Sequence, residues 1–128
     1  MTAGASFAHD VADLALLDAA RACTLAWVDP LDDDAWCAWP DPDFSPIAWH
    51  LGHLAFTEAS WVLERLLGDA RLSAPYATRF AQDGRPKHER AHGFDRAELL
   101  DYLATVRAAV REAWPRLDPA HDLVRDGY

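Results

Sequence analysis

His50 and His53 are the residues in this sequence best placed to do chemistry. They lie in the segment Ser45-Pro-Ile-Ala-Trp-His-Leu-Gly-His-Leu-Ala-Phe-Thr-Glu58, which opens like a helix. Ser45 suits the N-cap, where a hydroxyl oxygen takes an otherwise unpaired backbone N–H. Pro46 suits the first helical position, where a missing N–H costs nothing. Side chains three apart on a helix diverge by about 60°, so one imidazole can face a bundle interior while the other supports it. Imidazole is the commonest side-chain metal ligand and suits zinc and iron. Two histidines on a half-buried seam are equally compatible with ordinary polar packing, since motifs this short often match by chance. Gly52, between them, costs a helix interior about 1 kcal/mol against alanine. A glycine there lets another group approach the backbone closely.

A second cluster follows. His88-Glu89-Arg90-Ala91-His92 has the form His-Glu-x-x-His, which binds zinc when a helix turns both imidazoles one way. Between Pro86 and Gly93 there is room for barely two turns, so coincidence is the plainer reading. His53, His88 and His92 would converge only if this segment folded over the helix that carries His53. Arg79, Arg85, Lys87 and Arg90 give the same segment a local positive character, either as a solvated loop or as a clamp for a substrate carboxylate. Cys23 and Cys37 read as buried small residues, and His9 and His121 as surface residues.

Three helices must position these groups. Val11, Leu14, Leu17, Thr24 and Val28 recur at helical spacing from about residue 10, and Asp29-Pro30 ends that run. A connection follows in which Trp36 and Trp39 are expected to pack back on the body. The second helix is expected over about 46–67, stopped by Gly68. Residues 69–94 read as irregular, which at this length is usually functional or disordered. The third helix is the best signposted. Asp95 and Glu98 form a capping box, Phe94 can staple onto Leu99, and Leu99, Leu103, Val106, Val110 and Trp114 make one stripe. Pro115 ends it. No strand pattern is present, so the fold class is all-α.

The chain of 128 residues has the size of one domain, read here as spanning 1–128. Its 21 acidic and 12 basic residues give a formal charge of −9, which disfavours nucleic acid and an anionic membrane surface. No run approaches the roughly 20 apolar residues that span a bilayer, and no signal peptide is evident. The expectation is a cytoplasmic protein whose two cysteines are free thiols.

The segment from Ser45 to Glu58 resembles the N-terminal DinB-like domain of the ergothioneine-type sulfoxide synthases. These are non-haem iron enzymes with ovothiol and selenoneine synthases among their relatives. The resemblance rests on Ser45, Pro46, Trp49, His50, Leu51, Gly52, His53, Phe56 and Glu58. Arg21 and Thr24 match an Arg-x-x-Thr signature, and Pro40 and Pro42 a Pro-rich approach to Ser45. It implies a DinB-like helical bundle in which His53 is one of three Fe(II) ligands and His50 supports rather than touches the metal; zinc or another divalent ion is the alternative. It points to Arg85 and Arg90 as substrate-binding residues, and to a small-molecule thiol and a histidine-derived imidazole as substrates. The family's other two ligands lie in a His-x-x-x-His-x-Glu motif on a fourth helix, which this sequence lacks, as it lacks the catalytic domain that normally follows. The expectation is therefore three long helices of a four-helix fold, with a partner chain or downstream domain completing the site; a homo-oligomer fits too. Two alternatives stay open: a stand-alone metal-dependent thiol transferase using His53, His88 and His92, and a non-catalytic helical interaction module.

Overall fold

The computed structural model describes the backbone of residues 3–118 and, in the first helix, side chains from residue 12 onward. His9 and His121 fall outside the described side chains. The described residues form helices and turns with no strand, as the sequence pattern requires.

Helix α1 is Ala3–Val28 and ends where Asp29-Pro30 stops it. A short helix α2, Asp33–Cys37, is capped by the Asp32 carboxylate, which accepts the Ala35 N–H at 2.8 Å. Trp36 is fully buried there, its indole N–H donating to the Val28 carbonyl at 2.9 Å. Trp39 does not follow it inward; it stays partly exposed, with its indole N–H donating to the Phe44 carbonyl. Cys37 is half-buried and Cys23 exposed, both as free thiols, so Cys23 is not the buried residue its type suggests.

Helix α3 is Ile47–Glu58 and continues without a break as a π-helical stretch, Ala59–Arg65. It stops at Gly68 in a pair of bonds each one residue wider than a Schellman motif, in keeping with the π-helical stretch before it: the Asp69 N–H reaches the Leu63 carbonyl at 2.8 Å and the Gly68 N–H reaches that of Glu64 at 2.7 Å. Gly68 has φ +74°, a conformation open to glycine and strained for other residues. The N-terminus departs from expectation. Pro46 occupies the cap position and no side chain caps the helix. The Ser45 hydroxyl instead accepts a hydrogen bond from Arg90 at 2.8 Å.

Helix α5, Arg96–Ala113, begins with one half of the expected capping box, the Asp95 carboxylate accepting the Glu98 N–H at 3.1 Å. The Glu98 carboxylate pairs with Arg79 at 2.8 Å. Helices α3 and α5 make the core. Ala48, Leu51, Ala55, Ala59 and Leu63 bury against Leu99, Leu103, Val106, Val110 and Ala113. Alanines in mid-seam let two helices approach closely. Trp114, expected in the stripe, is only half-buried; Ala113 takes the inner place.

The 69–94 segment is not a free loop. It holds a 3-10 turn at Ala74–Tyr76, a short helix α4 at Ala77–Phe80, and a 3-10 turn at Lys87–Glu89. The Tyr102 hydroxyl donates to the Leu72 carbonyl at 2.8 Å, and Tyr76 stacks on Tyr102 with ring centroids 3.8 Å apart. Burial pushes the Tyr102 phenol well above its ordinary range, so it stays a donor.

Candidate functional site

His53 lies where α3 meets the folded 69–94 segment. Its Nδ1 is 2.7 Å from the Phe80 carbonyl oxygen. A carbonyl can only accept, so Nδ1 carries a proton, and in the neutral imidazole the lone pair is on Nε2. Metal-binding histidines are held by the same arrangement, an N–H donated to a carbonyl or carboxylate that fixes ring and tautomer. The ring also stacks on Trp49, centroids 4.6 Å apart and planes 11° apart.

Gly52 explains how Phe80 comes so near. A Cβ on Gly52 would lie 2.1 Å from Cε1 of the Phe80 ring. The close approach anticipated at Gly52 is therefore made by an aromatic ring, and the same residue's carbonyl positions His53.

Trp49 is the hub of this region. It is buried, and its indole N–H donates to the Arg79 carbonyl at 3.0 Å. His50 meets its edge at 5.3 Å. His50 itself is exposed, and desolvation, with His53 and Arg90 nearby, holds its imidazole below the ordinary histidine value. The Arg90 guanidinium lies 4.0 Å from the Trp49 ring centroid.

Arg90 corrects a sequence-based expectation. Its side chain is buried, Nε donating to the Arg85 carbonyl at 2.9 Å, one terminal nitrogen to Ser45 Oγ at 2.8 Å and the other to the Gln82 carbonyl at 2.9 Å. Every nitrogen of the fork is engaged inside the protein, so Arg90 staples the segment to α3 rather than presenting itself to a carboxylate. Arg85 is half-buried and donates to the His92 carbonyl at 2.8 Å.

The in-chain metal alternative is not assembled. The His88–His92 stretch is a single 3-10 turn followed by further turns, so its imidazoles do not share a helical face. His88 is exposed, its Nε2 3.7 Å from Glu89, and His92 is exposed. The segment does fold over α3, but it brings Phe80 to His53, not His88 and His92. Among the described residues, no three His, Cys, Asp or Glu side chains are grouped to hold a metal ion. The described residues thus fit a single metal ligand and do not fit a complete site, for which three protein ligands are usual.

His53 opens on a cleft of about 670 Å³. The helix contributes His53, Thr57, Ser60 and Glu64 at near-helical spacing, and the facing wall includes Ala74, Ala77, Ala81 and Asp83. The buried Ser73 hydroxyl donates to Glu64 and fixes that carboxylate at the far end.

A charge cluster that sequence reasoning missed lies between α1, α3 and α5. Arg107 makes a two-pronged pair with Glu58, at 3.0 and 2.7 Å, and donates to Asp18 at 2.8 Å. Arg111 meets Asp18 at 2.8 Å, and Arg21 approaches Glu58 at 3.6 Å. Arg107 is raised above its ordinary value chiefly by its bond to Glu58, whereas burial lowers Arg21. The signal was present: Arg107 sits beside Val106 on the inward stripe, and a buried arginine needs an anion. Glu58 and Arg21, both from the matched motifs, are partners in this cluster.

Residues 16–125 match the DinB superfamily. The chain belongs to that superfamily. Its all-α architecture agrees. No curated protein and no solved structure gave a significant match. Among the described residues of this DinB superfamily chain, no helix is long and apolar enough to cross a membrane.

Proposed function

We propose that this chain is the metal-binding DinB-like domain, or a separate subunit, of a non-haem Fe(II) sulfoxide synthase, with His53 as one iron ligand. The observation that carries the reading is the fixed tautomer of His53, Nδ1–H on the Phe80 carbonyl, within the Ser45–Glu58 segment. Superfamily membership supports a metal-binding role. Zinc or another divalent ion is the alternative metal.

The overall reaction would join a thiol, or its selenium counterpart, to a carbon of a histidine-derived imidazole. A thiol S–H and a ring C–H break, and a C–S bond and an S–O bond form. Both hydrogens leave with the second oxygen atom of O2 as water, so dioxygen takes up all four electrons. No step of this is assigned to the described residues, whose part is to hold one imidazole in place. The remaining ligands come from outside the described residues, in a partner chain or a further segment.

The test is iron content of the protein isolated anaerobically with its natural assembly, beside His53→Ala. The expected result is one iron per assembly, lost in the variant, together with loss of thiol-dependent oxygen uptake in the presence of the imidazole substrate. Iron retained in full by His53→Ala would end the proposal. The interaction-module reading is favoured by a different observation, the uncovered outer face of α1.

A further inference from the structure

Helix α1 packs on the body through one face and turns a second, apolar face outward. At about 100° per residue, Leu14, Asp18, Arg21 and Leu25 share one side. This side is the packed one: Leu14 is buried, Leu25 packs against the core, and Asp18 and Arg21 are drawn into the charge cluster. Leu16, Ala20, Cys23 and Trp27 fall on the opposite side, within a stripe about 60° wide. All are exposed, Leu16 at 69% and Trp27 at 77%. Because Asp18 and Arg21 are turned inward, the outer stripe between Leu16 and Trp27 carries no charge.

We infer that this outer face pairs with the same face of a second copy of the chain, as an antiparallel helix pair about a two-fold axis. The 4-3-4 spacing of the stripe reads the same from either end. An antiparallel two-fold therefore sets Leu16 against the partner's Trp27 and Ala20 against the partner's Cys23, with small residues where the helices cross and large ones at the flanks. Such self-complementarity is what an isologous contact requires. In a molecule of charge −9, an uncharged face is also where two copies meet with least repulsion.

The area fixes the strength expected. Two large side chains, with Ala20 and Cys23 between them, offer on the order of 450 Å² per copy. The pair then buries on the order of 900 Å², below the roughly 1,200 Å² at which standard stable interfaces begin. The dimer is thus reversible, in the micromolar range or weaker. Salt strengthens it by screening the like net charges of the two copies.

Sedimentation velocity on the full chain, from low to high micromolar, tests this. A monomer–dimer equilibrium that tightens with salt is expected, and Trp27→Glu should weaken it at least tenfold while helical circular dichroism and melting temperature stay unchanged. Orientation is read by mild oxidation in a Cys23→Ala, Cys37→Ala background. An equal mixture of Leu16→Cys and Trp27→Cys chains should give mainly the mixed disulfide. A strictly monomeric chain, a dimer indifferent to Trp27→Glu, or Leu16→Cys chains that link chiefly to themselves would each overturn the inference.

Discussion

Gly52 is the position where one added carbon sets two opposing effects against each other. Alanine gains about 1 kcal/mol of helix propensity over glycine. Its Cβ, however, would stand 2.1 Å from the Phe80 ring, a buried ring and not the loose end of a flexible chain. Overpacking of this kind costs about 1–3 kcal/mol, and displacing Phe80 also withdraws the carbonyl that holds His53. Gly52→Ala is therefore expected to lower the melting temperature by several degrees, and the His53 Nδ1–H should exchange faster with solvent by NMR than in the unaltered chain; a more stable variant would mean the ring yields freely. Arg90 gives the matching case for a polar residue. Lysine can reach one of its three acceptors and cannot lie flat on Trp49, so Arg90→Lys should cost about 2 kcal/mol in urea denaturation. Arg85→Lys, which loses one half-buried bond, should cost under about 0.5 kcal/mol. Equal losses would remove the distinction drawn between the two arginines. Sequence alone anticipated a close approach at Gly52, and it assigned Ser45 to a cap that the structure does not form. It could not name Phe80 or Arg90 as the visitors, because they arrive from 28 and 45 residues downstream in a segment without periodicity.

Elements whose ends are set by local chemistry were readable, and those set by distant contacts were not. The stop of α1 at Asp29-Pro30, the stop of α3 at Gly68 and the start of α5 at Asp95 each depend on residues within one turn. The π-helical continuation of α3 and the folding of 69–94 onto it depend on packing that no short window contains. The docking of α1 belongs to the second kind. Its inward face carries few large apolar groups, and the charge cluster supplies much of its described attachment. The bond from Arg107 first, and then that from Arg111, holds the Asp18 carboxyl below its ordinary value of 3.8. Folding thus favours ionised Asp18, so its contribution is present above about pH 4 and is lost as the pH falls below that. Hydrogen exchange of the α1 amides should therefore accelerate, relative to those of α5, as the pH is lowered from 5 to about 3. Asp18→Asn should show the faster α1 exchange already at pH 6 and little further change with acid. A wild-type α1 whose relative protection is flat across that range would show that the carboxylate does not hold the helix.

At the scale of the whole molecule, the sequence singled out one candidate ligand, His53, and among the described residues no three His, Cys, Asp or Glu side chains are grouped around a metal position. His53 was identified from its segment, and its carbonyl-held tautomer is what a ligand needs. The alternative completion by His88 and His92 looked available on paper because linear spacing says nothing of whether a stretch is one helical turn or several; here it is a 3-10 turn at the surface. The number of ligands then sets the thermodynamics. A lone imidazole holds a divalent ion with a Kd on the order of millimolar, a binding energy of about 4 kcal/mol. At about 100 μM metal this raises folding stability by less than about 0.1 kcal/mol, since the gain is RT ln(1 + [metal]/Kd). A complete site with Kd near 1 μM would gain about 2.7 kcal/mol at the same concentration, which for a chain of this length moves the melting temperature by about 10 °C. The chain by itself should therefore melt at the same temperature with and without about 100 μM Zn(II), or Fe(II) under anaerobic conditions, and His53→Ala should change nothing in that comparison. A rise of several degrees, abolished by His53→Ala and by His121→Ala, would instead place the missing ligands within residues 119–128, and the site would then close inside one chain.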